Sequence, residues 1–253
     1  MLEELLKLNV YTFVVVFSRM GTVMIFIPVI GDTRILSRGR LFFALAISLI
    51  LTPIISDLLP KMPTKPIELG LIIAGEILAG IFIGFVVRAM YFATQTAGTV
   101  ISFVSGMANT MVYDPVVEQQ SAIISGFMGS VAVLLLFVTN MHHLLIEAMV
   151  ESYMLFKPGL APNFGDMSQM MARQIADTFI LGVQLSTPFV VVSLAYYMGL
   201  GVLTRLSPQI PVFFVAMPLQ IIISTIVMIL AIGGMMTVYL KHFNDNLQPL
   251  IGL

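Results

Sequence analysis

The sequence contains no cysteine. Disulfide bonds, thiolate metal sites and a cysteine nucleophile are therefore excluded, while the redox state of its compartment is left open. Charged residues make up only 10% of the 253 residues, against roughly 25% in soluble domains. Hydrophobic residues account for 58%, and the mean hydropathy is +1.02. These values indicate an integral membrane protein.

The few charges are not segregated by sign. Twelve Lys and Arg residues are scattered along a chain of formal net charge −1, so no basic surface for nucleic acid is predicted. Near the N-terminus, Glu3 and Glu4 oppose a single Lys7. A cleaved signal peptide needs a basic start, so we expect the first apolar segment to be retained.

Common catalytic signatures are also missing from the sequence. It shows no G-x-S-x-G, no Walker A loop and no dinucleotide fingerprint in a suitable context. His143, Glu147 and Glu151 follow one another at spacings of four, the minimum for a metal site on one helical face. The pattern lacks H-E-x-x-H, so a His pair at an interface is favoured over a metalloenzyme. We predict no enzyme activity, no cofactor and no metal.

Long apolar runs dominate the chain and predict an all-α, integral membrane-type protein with broken and hairpin helices, in one domain over residues 1–253. Runs of about 20 residues are typical of transmembrane helices. A straight helix over 70–104 would be about 50 Å long, against a hydrocarbon core of about 30 Å. Other runs are short for a crossing. The runs are 9–30, 41–55, 70–104, 122–138, 144–156, 179–200 and 212–240, and the predicted connections are 31–40, 56–68, 157–169 and 204–211.

The loop charges give contradictory orientations. Basic residues in the loops before and after 41–55 both favour the cytoplasm. Both loops cannot lie there if this segment crosses the membrane. Either the segment is a re-entrant hairpin, or protein partners set the orientation.

Four ionisable residues lie inside apolar runs, namely Arg19, Glu76, Arg88 and Glu147. Each costs about 2.5–3.5 kcal/mol at a helix centre, so such side chains usually face protein or a wet cavity. They could form an ion or proton path, but scattered charges of mixed sign do not form a relay chain, so pairing within an assembly or snorkelling near an interface is favoured. Glu76 and Arg88 are twelve residues apart, so neither can pair with the other along one helix.

Glycine and proline are frequent inside the apolar runs. Gly80 and Gly84 form a small-xxx-small pair that, with Gly70 and Gly75, predicts close helix packing. Prolines and a glycine pair interrupt other runs, which marks either transport paths or plain kinks. These interruptions are Pro28, Pro53, Pro188, Pro208, Pro211, Pro218 and Gly233-Gly234.

A polar stretch, SFVSGMANTMVYDPVVEQQSA over residues 102–122, separates two apolar runs. It is too weakly charged for a well-solvated loop and too polar for lipid. A non-helical segment at that depth must lie against protein or a wet cavity.

Five blocks between about residues 17 and 230 occur in a recognisable order. Four are FSRMGTVMIFIPVIGDTRILSRGRLFFALAISLILTP, GEILAGIFIGFVVRAMYFATQTAGTVISF, LLLFVTNMHHLLIEAMVESYMLFKPG and GLGVLTRLSPQIPVFFVAMPLQIII, and the fifth is the polar stretch with its Asp114-Pro115. Together they resemble the FliR family of flagellar type III export-gate proteins, related to the SctT proteins of virulence secretion. Four positions depart from the family pattern, namely Glu118 for Gly, Met141 for Gly, Pro211 for Asn and Gln220 for Lys.

The resemblance implies a subunit that assembles with FliP and FliQ into a helical gate, associates with FlhB, and passes unfolded substrates. It implies the bacterial inner membrane, within the flagellar basal body, and helices partly raised out of the bilayer plane. The gate would draw energy from the proton-motive force and an associated ATPase. Subunit contacts would supply partners for Arg19, Glu76 and Arg88. A virulence-type gate subunit and, less favoured, a secondary transporter remain alternatives.

The resemblance also implies a pore plug near residues 106–122, beside a Met-rich ring supplied largely by FliP. Small residues at its start give flexibility, and apolar residues after them can pack against a closed ring. A merely structural loop is the alternative. The plug residues are Gly106, Met107, Ala108, Asn109, Thr110, Met111, Val112, Tyr113, Asp114 and Pro115, and residues 118–120 are expected to begin the next helix.

Overall fold

The computed structural model describes residues 2–28, 31, 36–107, 120–160, 164–207, 209 and 212–251. Every regular element in these ranges is helical, which confirms the all-α prediction. A 3-10 turn, Ser56–Leu58, follows the second helix. The α-helices are α1 (Leu2–Phe26), α2 (Ser37–Ile55), α3 (Pro66–Val104), α4 (Gln120–Val138), α5 (Met141–Leu155), α6 (Phe164–Leu206) and α7 (Val212–Ile251).

Several helices are long and apolar enough to cross a membrane. By length and composition the described chain offers four such spans, or five if α4 and α5 form one bent span. The bend between α4 and α5 falls at Asn140, whose φ of 58° is left-handed. α3, α6 and α7 contain 39, 43 and 40 residues, so each is about 60 Å long, roughly twice the hydrocarbon thickness. The prediction of overlong and broken helices is confirmed.

Several of the predicted interruptions do not end a helix, so of the two alternatives only plain kinks fit them. Pro53 and Pro188 lie inside continuous helices, and Gly233-Gly234 lies inside α7. An isolated proline removes one backbone hydrogen bond, and the remaining bonds of a long apolar helix hold it together. Residues 164–169, the second half of the predicted connection 157–169, form the first turns of α6.

The hairpin alternative for residues 41–55 is also wrong. α2 is a single helix and, with the 3-10 turn, gives a span of 22 residues, Ser37–Leu58. α2 begins at Ser37, earlier than the predicted run at 41–55. Its first turn contains the charged residues Arg38 and Arg40, which the prediction from apolar runs left out. Long basic side chains are tolerated at a helix end because they reach toward the membrane surface.

The described chain divides into two compact units. The first comprises Met1–Met90, Thr139–Ile175 and Asn244–Leu253, and the second comprises Tyr91–Val138 and Ala176–Phe243. In the first unit, fully buried side chains of α1, α3 and α5 include Val16, Phe82 and Tyr153. In the second, α4 and α7 contribute the buried Met128 and Tyr239. The single domain over residues 1–253 stays a prediction.

Close packing of α1 against α3 in the first unit depends on two of the four glycines. A Cβ atom on Gly80 would lie 2.7 Å from the carbonyl oxygen of Arg19, and one on Gly84 would lie 2.6 Å from the Cβ of Phe26. Around Gly70 and Gly75, apart from the adjacent residues and the backbone of α3 itself, no atom of the described residues lies within 4 Å of such a position. The packing prediction is therefore confirmed for the small-xxx-small pair alone.

This difference predicts opposite effects of the same substitution at two sites on α3. Gly80→Ala is expected to lower the free energy of unfolding by about 1–3 kcal/mol, because the backbone of α1 must shift. The matched control, Gly75→Ala, should raise it by about 0.5–1 kcal/mol, since Ala favours a helix and meets no obstacle. Thermal unfolding of the detergent-purified variants measures both. Equal effects at the two sites would contradict the packing described.

Candidate functional site: a buried arginine network and the end of helix α3

Arg19 of α1 forms a bidentate ion pair with Glu76 of α3 in the interior of the first unit. Their side chains are 0% and 2% exposed. Arg19 Nε donates to Glu76 Oε2 at 2.7 Å, and Arg19 Nη2 donates to Glu76 Oε1 at 3.0 Å. This fork-to-fork geometry is the strongest form of carboxylate pairing. It joins two helices at positions 57 residues apart in the chain.

The remaining donors of Arg19 are satisfied by α5. Arg19 Nη1 donates to the carbonyl and hydroxyl oxygens of Ser152 at 2.9 and 3.3 Å, and Nη2 donates to the carbonyl of Phe156 at 2.7 Å. The guanidinium also lies 3.9 Å from the centre of the Tyr153 ring. These carbonyls belong to the C-terminal end of α5, where a positive charge is favoured by the helix dipole. All five N–H groups of the guanidinium thus have acceptors.

The structure corrects the expected source of these partners. Sequence reasoning assigned the partners of Arg19 and Glu76 to other subunits, but the two residues pair within the chain. Two residues far apart in sequence can meet only through helix packing, which a single sequence does not reveal. Arg88 is half-buried and Glu147 is exposed. A role for Arg19, Glu76 and Arg88 in subunit assembly stays a prediction.

The His-rich segment of α5 gives the metal hypothesis no support. Within the described ranges, no three His, Asp or Glu side chains form a group that could hold a metal ion. His143 and Glu147 are exposed. The rings of His142 and His143 lie against each other, with centroids 4.2 Å apart.

A groove of about 1000 Å³ adjoins the ion pair, a feature that the sequence did not signal. Apolar side chains such as Leu71, Phe82 and Met167 form much of its lining. Charged residues of both signs, including Lys61 and Asp166, also line it. The groove therefore offers no uniform charge to a ligand.

The C-terminal end of α3 is a second polar centre, in the second unit. The carbonyl of Val104 accepts hydrogen bonds from Ser193 Oγ of α6 at 2.7 Å and from Gln220 Nε2 of α7 at 2.8 Å. Gln220 Nε2 also donates to the hydroxyl of Tyr197 at 3.0 Å. Gly106 follows with a φ of +76°, which favours glycine. The chain therefore leaves α3 at a fixed point.

The predicted plug begins at this point. Gly106 is buried and Met107 is half-buried. The other plug residues, 108–115, lie outside the described residues, and α4 begins at Gln120, within the predicted 118–120. Gln220 drew attention only as a departure from the family pattern. Ser193 was missed, because a lone serine in an apolar run gives no distinctive signal.

The arginine network predicts a large loss of stability when one partner is removed. Arg19→Met leaves the Glu76 carboxylate buried without its partner, so the free energy of unfolding should fall by about 3–5 kcal/mol. Replacing both residues by Met should recover part of that loss, because no unpaired charge remains. Thermal unfolding in detergent, read as a double-mutant cycle, measures the coupling.

An exposed ion pair at the start of α3 provides the control. Lys65 and Glu68 are 73% and 49% exposed and 3.8 Å apart. Lys65→Met should change stability by no more than about 0.5 kcal/mol, because water screens the pair. Equal losses in Arg19→Met and Lys65→Met would contradict the network's structural role.

Comparison with known proteins places the chain in a family. The family described as bacterial export proteins, family 1, matches residues 10–246. The chain is 33% identical over 240 residues to the flagellar biosynthetic protein FliR of Caulobacter vibrioides, covering 95% of this chain and 96% of that protein. It is 30% identical over 246 residues to FliR of Bacillus subtilis, covering 95% and 93%.

A virulence protein is also similar. The chain is 22% identical over 245 residues to the Yop proteins translocation protein T of Yersinia pestis, covering 94% of this chain and 92% of that protein. The resemblance deduced from the five sequence blocks is confirmed. The chain belongs to family 1 of the bacterial export proteins, the family that includes the flagellar biosynthetic protein FliR.

Proposed function

We propose that this chain is a subunit of the flagellar type III protein export gate. With FliP and FliQ it forms a protein-conducting channel for unfolded flagellar substrates, and it associates with FlhB. The gate lies in the bacterial inner membrane, within the flagellar basal body. The observation that carries the proposal is the similarity to a flagellar FliR over 95% of this chain and 96% of that relative.

The apolar surface of the helices supports assembly with other subunits. Only 17% of the most apolar window of α7 is buried within the chain, and Leu230 and Ile229 are 79% and 71% exposed. Lipid or neighbouring subunits must cover such a surface. Because α3, α6 and α7 exceed the bilayer thickness, lipid alone does not cover them, and FliP and FliQ provide the remaining contacts.

The internal pairing of Arg19 and Glu76 refines how the subunits meet. No partner subunit is needed to neutralise this pair, and the exposed apolar helix surfaces offer the larger area for contacts with FliP and FliQ. Apolar helix surfaces can also shift against one another at low cost, since they carry no directional bonds. That property suits a channel that must open for a polypeptide.

The plug is the part of the proposal that assigns residues. Residues 106–122 close the channel beside a Met-rich ring, with Gly106 and Met107 as the first residues of the closure. Methionine is unbranched and adaptable, so a seal made of it blocks small ions and still yields to a polypeptide. The fixed end of α3 at Val104 supports a closure with a defined start.

The flagellar assignment is favoured over a virulence system. The flagellar relatives reach 33% and 30% identity, whereas the Yersinia relative reaches 22% over a similar length.

The chain carries no nucleotide-binding motif, and energy reaches the gate from the proton-motive force and an associated ATPase.

Removing the start of the plug should open the resting channel to ions. In a strain that carries a deletion of residues 106–113, we expect the membrane potential to fall, because the pore loses its closure. A potential-sensitive dye measures the change, and immunoblotting of membranes measures the amount of the subunit.

Two controls sharpen this experiment. Combined Met107→Leu and Met111→Leu substitutions keep an apolar seal of similar volume, so that variant should stay closed. A strain without the gene has no channel and should not leak. A normal membrane potential in the deletion variant, at wild-type abundance, would overturn the plug assignment.

A further inference from the structure

One end of the groove beside the arginine network is charged. The connections before α3 and α6 each contribute one lysine to its lining, and the first turns of those helices each contribute one carboxylate. These residues are Lys61, Lys157, Glu68 and Asp166. The two connections pack together, because a Cβ atom on Gly159 would lie 3.0 Å from Pro60 Cγ. This end of the groove therefore presents two charges of each sign.

The remainder of the groove is apolar and follows α3. Leu71 and Phe82 line it, together with Met154 and Leu155 from the end of α5. Between Glu68 and Phe82 the helix rises about 20 Å, more than half of the hydrocarbon thickness of a bilayer. Leu71, Met154 and Leu155 are more than half exposed. An apolar surface of this kind needs a cover.

The floor of the apolar part makes no polar demand on an occupant. Arg19 and Glu76 line it, but they neutralise each other, and the guanidinium donors are satisfied within the chain. Beside them Gly75 leaves the surface of α3 without a side chain, and the space there is open. A hydrocarbon chain can therefore pass over the buried ion pair without leaving a charge unpaired.

We propose that this groove binds one phospholipid with a zwitterionic headgroup, such as phosphatidylethanolamine. Lys61 and Lys157 contact its phosphate, the two carboxylates contact its ammonium group, and an acyl chain lies along α3 past Gly75. Charges of both signs favour a zwitterionic headgroup over an anionic one, because the carboxylates repel net negative charge. An apolar helix from a partner subunit fits less well, since it would cover four charges with hydrocarbon. The inference is independent of the proposed function, because this chain alone forms the groove.

Lipid retention by the detergent-purified full chain tests the inference. The chain is washed with excess detergent and offered equal amounts of phosphatidylethanolamine and phosphatidylglycerol that have the same acyl chains. Native mass spectrometry then measures the bound lipid. We expect a single phosphatidylethanolamine per chain, retained about fivefold or more over phosphatidylglycerol.

Matched variants separate the groove from the rest of the lipid-facing surface. Gly75→Leu places a side chain across the groove and should lower retention about fivefold or more. Gly70→Leu adds the same side chain to α3 at an equally open glycine outside the groove, and should retain lipid like the unsubstituted chain. Combined Lys61→Ala and Lys157→Ala substitutions should also lower retention. Lys65→Ala, in the same connection as Lys61 but outside the lining, should not.

The outcomes decide between the possible occupants. Equal retention in Gly75→Leu and Gly70→Leu, or a preference for phosphatidylglycerol, would overturn the inference. If Gly75→Leu retains the lipid but no longer copurifies with partner subunits from membranes, the groove takes a partner helix instead. If Gly75→Leu does not fold, the lysine variants decide. A chain that never copurifies with FliP or FliQ would contradict the proposed function and leave these lipid measurements unaffected.

Discussion

The burial of one guanidinium constrains the whole of the first unit. Arg19 is fully buried, and a buried charge of this kind is tolerated only when its donors and its charge are satisfied. Glu76 supplies the charge, and Ser152 and Phe156 supply carbonyl oxygens. α1, α3 and α5 must therefore reach their positions together. Gly80 contributes to the same packing. Because glycine has no side chain, the backbone carbonyl of Arg19 can lie close to α3 at this position.

In the second unit, neutral donors rather than a charged group satisfy a buried polar group. At Val104 a helix ends among apolar helices, and hydroxyl and amide donors from α6 and α7 satisfy its carbonyl. At the end of α5 the donor is a guanidinium instead. In both units, side chains on neighbouring helices fix where a helix stops. Such fixed ends are what a membrane protein needs where its chain leaves a helix, since lipid offers no hydrogen bonds.

Sequence reasoning recovered the features that depend on composition and order. The all-α class, the overlong third helix and the family follow from apolar runs and five ordered blocks. Helix boundaries were less predictable, because Pro53 and Pro188 mark breaks in sequence but are tolerated inside long helices. The partner of Arg19 could not be predicted from the sequence, since its pairing with Glu76 depends on tertiary packing. Gln220 was visible only as a departure, and its contacts required the fold.

The central claim is that this chain works as a subunit of an export gate rather than alone. Affinity purification of the tagged chain from membranes of its host, in mild detergent, followed by mass spectrometry, tests it most directly. The account predicts that FliP and FliQ copurify in fixed proportion to the tagged chain. A chain that is stable as a monomer and never carries FliP or FliQ with it would contradict the account.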